Sequence, residues 1–541
     1  MSRKQQALAA ALLTLALVTW GRVVLVDHLR DQGYFLKYVE LSRSLPRERL
    51  AEVSPAYLWL MVLLRGVSLH AIRTMQIIAV SVAALFAAMA AHRLAGPVAG
   101  VAAAMFLLAS RATLVCATDL EPEALIVLLD AIALAAMARG RWAGAGAALG
   151  LSATARPAAL LAGIVAGAWI LRRDFRAAAR FAAAMTVPVM LAIGVNFAMT
   201  GEAILMDPGC VLYEGMNPSA TGYAGVQPAI VKDIEAASGQ PDYLHVAYRI
   251  VASRALGIDA SHRVANAWWI AKGIAFAKTY PSAAARLVGR KLLFAVHSYD
   301  SWDLATMARK DHLLAPLPLW IPFGALVALS GVALLRRRRD AALPLLFAGA
   351  GAVVLIAFYV SARQRQALVP ALAIAAAIGV AEIASMWRER RSEAIGITAV
   401  VLLVAALLGM NGPAQREDAY GWGWRGDDDQ RAFDRALALE RSGDWSGADA
   451  MLDELQRQGY QPRRESRAVS SVAFYRARAA LHLRQDPSRQ LAIAAREAPG
   501  DVHLLALQAV LGDRTALTTA YALHDPFSVE HALAEEPGTK N

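Results

Sequence analysis

Two aspartates, Asp27 and Asp31, stand immediately beyond the first long apolar run, and Gly33-Tyr34-Phe35 follows them. A transfer reaction at a membrane surface needs a general base that takes a proton from the acceptor hydroxyl, and Asp31 is placed for that work. The plainer reading is a pair of solvated acids at the end of a span. A second acidic stretch, Asp119-Leu120-Glu121-Pro122-Glu123, opens another apolar run. Its glutamates can hydrogen-bond an acceptor or hold a divalent cation, or simply cap a helix N-terminus. Asp130, inside that run, should face protein rather than lipid. Cys116 and Cys210 form no zinc pattern and no disulfide framework, so one bridge and two inert thiols both stay open.

These groups sit in a chain that is 57% hydrophobic over 541 residues, with a mean hydropathy of +0.39. The apolar residues gather into runs near the ~20 residues that an α-helix needs to cross a bilayer. Such runs must be helical, because lipid offers the backbone no hydrogen-bond partners. A soluble protein is excluded. The formal charge of +11 does not indicate nucleic acid, because the arginines cluster between apolar runs, as topology signals do.

Placing the clusters Arg3-Lys4, His92-Arg93, Arg139/Arg141, Arg172–Arg180, Arg336–Arg339 and Arg388–Arg391 in the cytoplasm predicts about eleven spans. They fall near 6–26, 70–91, 97–115, 121–138, 142–156, 157–171, 178–199, 315–335, 341–360, 366–386 and 394–411. The N-terminus is then cytoplasmic, and Trp20-Gly-Arg-Val offers no signal cleavage site. Three polar segments share the outer face: 27–53, 201–314 and the tail from 413 onward.

The expected architecture is therefore all-α: a transmembrane domain over 1–412, with outer loops 27–53 and 201–314, and an extracytoplasmic helical domain over 413–541. Within the long loop, Tyr243–Leu256, Ala260–Lys278 and Ser282–His297 read as amphipathic helices. Trp268, Trp269, Phe276 and Tyr280 suit an interfacial aromatic belt. In the tail, Asp428–Arg441 and Trp445–Gln458 flank the turn Ser442-Gly443-Asp444, and further helices follow near 468–484, 486–497 and 501–511. This resembles a short tetratricopeptide-type array.

The ordered motifs resemble one family. Asp31-Gln-Gly-Tyr34 with Pro55-Ala-Tyr57 looks like the first-loop signature of GT-C glycosyltransferases of the protein mannosyltransferase and lipid A aminoarabinose transferase type. Gly215-Met-Asn217-Pro218-Ser-Ala220-Thr-Gly222 is similar to a loop motif of bacterial relatives with C-terminal helical repeats. Trp268-Trp269, Arg290-Lys291 and His297-Ser-Tyr-Asp300 follow in that group's order, and Ser361-Ala-Arg363-Gln-Arg365 with Pro370 resembles its Ser-Arg-Tyr-Arg segment. Met216 and Gln364 depart from the pattern, standing where it has Asn and Tyr.

The resemblance implies a membrane glycosyltransferase with a polyprenyl-phosphate-linked sugar as donor, inversion at the anomeric carbon, and Asp31, with Asp27 beside it, as the catalytic carboxylate. It implies Arg363 and Arg365 on the donor phosphate, since guanidinium forks suit phosphate oxygens; Arg156, by its position at the outer Arg156-Pro157 bend, is a second phosphate candidate. Arginines that merely snorkel at span ends are the alternative. Tyr34, Tyr57, Glu123 and Asn217 are the expected substrate contacts. No metal ligands and no cofactor beyond the donor are expected, apart from the divalent cation allowed above.

The expected partners are membrane lipids, the lipid-linked donor, a protein, lipid or glycan acceptor, and a protein held by the tail. The expected site of action is the outer face of a bacterial cytoplasmic membrane. Two other readings compete: an oligosaccharide ligase or polymerase of the O-antigen type, and a non-enzymatic transporter or scaffold.

Overall fold

The computed structural model describes residues 37–44, 53–203, 205, 208–223, 227–238, 244–303, 305–316, 320–410, 426–458, 460, 469, 471 and 472–535. Every regular element among them is helical. Two compact units result. The first comprises 1–206, 292–356 and 360–412; the second comprises 207–291, 357–359 and 413–541. The sequence draws its boundary at residue 412, whereas compactness groups most of the long loop with the tail.

The first unit is an apolar helix bundle that marks a membrane-embedded protein. Five of its helices are long and apolar enough to cross a bilayer: Leu69–Ala95, Phe175–Thr200, Arg339–Ala357, Val369–Glu389 and Arg391–Leu408. The pair Pro97–Leu108 and Arg111–Ala117, bent by 56°, makes a sixth if taken as one span. The remaining expected spans fall on shorter helices. Glu123–Ala138 has 16 residues, Trp142–Ala155 and Phe323–Arg336 have 14 each, and Ala159–Leu171 has 13. At 1.5 Å per residue these reach about 20–24 Å, less than the ~30 Å hydrocarbon core. The expected first span, 6–26, lies outside the described residues.

Local chemistry sets the breaks. Gly96 takes a φ of 87° between two helices, and Pro97 begins the second at a position whose N–H needs no helical partner. Ser110 caps Arg111–Ala117 by accepting from Thr113 N–H, which starts a new helix at the bend. Arg156 is extended (φ −150°, ψ 113°), as a residue before proline must be, so Trp142–Ala155 ends there. Small residues then let the helices meet. A side chain at Gly146 or Gly150 would strike the backbone of Phe181 or Met185 on Phe175–Thr200. Asp130 is buried and accepts from Ser152 Oγ at 2.7 Å, facing protein as expected. By contrast, Ala394 is the single buried residue on Arg391–Leu408.

The second unit holds three loop helices close to their expected positions, Leu244–Leu256, His262–Thr279 and Pro281–Val296, the last of which runs on into the first unit. Trp269 does not sit in an interfacial belt. It is 1% exposed, stacked edge-on against Tyr248 and tilted against Tyr213, and donates its indole N–H to Tyr248 O at 3.0 Å. Phe276 is likewise buried, with Leu287, Leu505, Ala520 and Leu523. In the tail, the expected hairpin forms as Gly426–Ser442 and Trp445–Arg457. Gly443 sits at φ 85°, and Asp444 caps the second helix through Gly447 N–H. Phe433, Leu452, Phe474 and Leu504 are among the residues of its core. Two helices beyond the expected set, Arg514–Leu523 and Pro526–Glu535, complete the tail.

Candidate functional site

Within the first unit, four segments bring charge together at one set of helix ends. They are the acidic turn 118–123, the bend at Arg156, the segment 299–311, and the turn 361–366 that precedes Val369–Glu389. At other ends of these helices Arg336 pairs with Glu393, and Arg337 with Glu382 at 2.6 Å.

The acidic turn is held from behind. Gln76, buried on Leu69–Ala95, donates its amide to Ala117 O at 3.0 Å and to Asp119 O at 2.5 Å. Its own carbonyl accepts from Tyr57 Oη at 2.5 Å, and the Tyr57 ring meets Tyr38 edge-on at 4.7 Å. Tyr57 thus braces the turn through Gln76. Lys310 closes the other side, giving its ammonium to the Asp119 carboxylate and to Thr118 O. Burial pushes the Asp119 carboxyl above its usual range, and the Lys310 charge opposes that rise.

Glu123 stands at the centre, 0% exposed. Its Oε1 receives Arg156 in a close ion pair and lies 4.0 Å from Arg363 Nε. Arg363 in turn forks onto Asp303 Oδ2 through Nε (3.1 Å) and Nη2 (2.7 Å), and reaches Glu121 at 3.5 Å through Nη1. Three carboxylates therefore share one guanidinium. Asp119 Oδ2, Glu123 Oε2 and Asp303 Oδ1 are buried with no hydrogen-bond partner among the described residues.

A second tier lies beside it. Arg111 binds Asp311 at 2.6 Å and Asp300 at 3.4 Å, and Asp300 also accepts from Arg365 at 2.5 Å. Burial, then the neighbouring Asp300 charge, push the Asp311 carboxyl up to about 7, against the pull of Arg111. Thr113 Oγ1 donates to Gln366 Oε1 at 2.7 Å, tying the bent helix to the arginine turn.

The expected site residues divide. Glu123, Arg156 and Arg363 converge, and Tyr57 supports them from one remove. Arg365 does not fit a phosphate ligand. It is 2% exposed, spends Nη1 on His297 O and Nη2 on Tyr299 O and Asp300, and lies over the Phe323 ring at 4.5 Å. It clamps the 297–300 segment. Asn217 belongs to the second unit, where it closes its own turn. Its amide donates to Tyr213 O and its carbonyl accepts from Ser219 N–H. There it borders a cleft of about 310 Å³ with His524, Asp525 and Glu535. Asp27, Asp31 and Tyr34 lie outside the described residues.

Asp303, Lys310 and Arg111 were missed from the sequence. Their signal was a pair of charged clusters, Asp300-Ser-Trp-Asp303 and Arg309-Lys310-Asp311, within a loop read only for its aromatics. Among the described residues no three His, Cys, Asp or Glu side chains are grouped to hold a metal ion. Cys116 and Cys210 are buried free thiols. The site offers fixed guanidinium and carboxylate groups of the kind that bind phosphate and hydroxyl oxygens. No family model matches the chain, and no curated protein matches it.

Proposed function

We propose that the chain is a GT-C-type glycosyltransferase that moves a sugar from a polyprenyl-phosphate donor to a hydroxyl acceptor at the outer face of the cytoplasmic membrane, with inversion. The observation that carries this reading is the convergence of Arg156 and Arg363 on Glu123 beside apolar helices. Arg156 gives one Nη to Glu123 and keeps its other N–H donors for a phosphate. Asp31 is the general base, on the strength of the first-loop resemblance. Phosphate bound at the two guanidinium groups would hold its sugar at the membrane surface, and the base would take the proton of the acceptor hydroxyl.

The reading sets about eleven spans, a cytoplasmic N-terminus, and the acidic turn, Arg156, Arg363 and the tail outside. The acceptor is a protein, a lipid or a glycan.

The test is transfer from a polyprenyl-phosphate sugar in liposomes. Asp31→Asn and Arg363→Ala, each checked for unchanged thermal unfolding, are expected to lower the rate by about 100-fold or more. Full activity in a folded Asp31→Asn variant would overturn the assignment of the base. Product masses showing a single added sugar exclude en bloc transfer of an oligosaccharide.

A further inference from the structure

We infer that Glu123 and Asp303 bind hydroxyl groups of the donor's sugar and restrict the donor to sugars that bear no carboxylate. The inference rests on the phosphate reading of Arg156 and Arg363. Its own ground is a separate one, the spare carboxylate oxygens.

Glu123 commits Oε1 to the arginines and Asp303 commits Oδ2 to Arg363. The other oxygen of each, Glu123 Oε2 and Asp303 Oδ1, is buried with no hydrogen-bond partner among the described residues. Buried acceptors without donors are costly, and native proteins keep few of them outside functional sites. Two such acceptors on carboxylates that face one guanidinium form a ready receptor for O–H donors. Hydroxyl-to-carboxylate bonds are short and strong, and they are directional.

A sugar joined to a phosphate at the arginines has hydroxyls within a few ångströms of that phosphate. Arg156 holds Glu123 and Arg363 holds Asp303, so the acceptors are in place before the ligand arrives. A sugar carboxylate placed there would have no hydrogen to donate and would set acceptor against acceptor at Glu123 Oε2 and Asp303 Oδ1. The same site therefore selects for hydroxyl and against carboxylate.

The experiment compares three ligands on the full-length protein in nanodiscs: bare polyprenyl phosphate, polyprenyl-phosphate hexose, and the same hexose oxidised at C6 to the uronate. Binding of the hexose form is expected to be about 10-fold or more tighter than that of the uronate form. Asp303→Asn is expected to shrink that preference to about 3-fold or less. Should Asp303→Asn fail to accumulate, Glu123→Gln and the unaltered protein's own ligand ranking supply the test. Equal affinity for hexose and uronate in the unaltered protein overturns this inference and leaves the phosphate reading intact. Absence of bare-phosphate binding removes the phosphate reading and this inference together.

Discussion

Arg156 and Arg363 direct their guanidinium groups at one oxygen, Oε1 of Glu123, the first in a close ion pair and the second from 4.0 Å. Arg156 spends one Nη on that contact, while Arg363 also forks onto Asp303. Lysine keeps the charge at either place but loses the fork. Arg363→Lys is expected to fold and to lower kcat/KM for the lipid-linked donor by about 10–100-fold, whereas unchanged kinetics would remove Arg363 from the phosphate.

Arg365 calls for the opposite outcome. Its guanidinium ties two backbone carbonyls and Asp300 in a buried setting. Arg365→Ala is expected to cost about 3–5 kcal/mol of stability by leaving Asp300 and those carbonyls short of partners. Thermal unfolding in detergent checks it, and a stable but inactive protein would assign Arg365 to the chemistry instead.

The brace behind the acidic turn gives a graded pair. Gln76→Leu leaves the carbonyls of Ala117 and Asp119 without their side-chain donor, an expected loss of about 2 kcal/mol. Tyr57→Phe removes only the bond to Gln76 and is expected to cost about 1 kcal/mol. Equal losses in the two variants would mean that Gln76 is not the link.

Much of the helical layout was legible because it rests on local signals. Gly443-Asp444 announces the tail's hairpin, and Arg156-Pro157 announces a break that the structure has. The partners of Asp119 and Glu121 were not legible. Lys310 and Arg363 meet them across 191 and 242 positions, and no periodicity encodes such pairings. Trp269 was misread for a related reason: an aromatic at helical spacing looks the same whether it borders lipid or fills a core.

In the second unit, Lys291 is buried, with its ammonium on Phe358 O, and burial lowers its pKa to about 8. Between about 8 and the ordinary 10.4 the unfolded chain holds a proton that the folded chain has lost, so stability rises with pH across that window. Below 8 the burial penalty is present in full. Lys291→Met is therefore expected to raise Tm at pH 7, with the gain shrinking by pH 10. A lower Tm at pH 7 would show that the ammonium stabilises the fold.

Asp311 carries the reverse dependence. Its folded carboxyl titrates near 7 against about 3.9 when unfolded, so the stability due to its protonated form falls as pH rises between those values. Asp311→Asn is expected to flatten the decline in Tm from pH 5 to pH 8, an effect on the order of 1 kcal/mol. An unchanged slope would place the titration elsewhere.

The helix Arg391–Leu408 buries Ala394 and no other residue. Such an element is written in a redundant code, in which length and greasiness matter and residue order hardly does. Scrambling its apolar letters should be silent where a single change at Glu123 is not. The constraint on this helix is one of composition, whereas the constraint on Glu123 is one of identity.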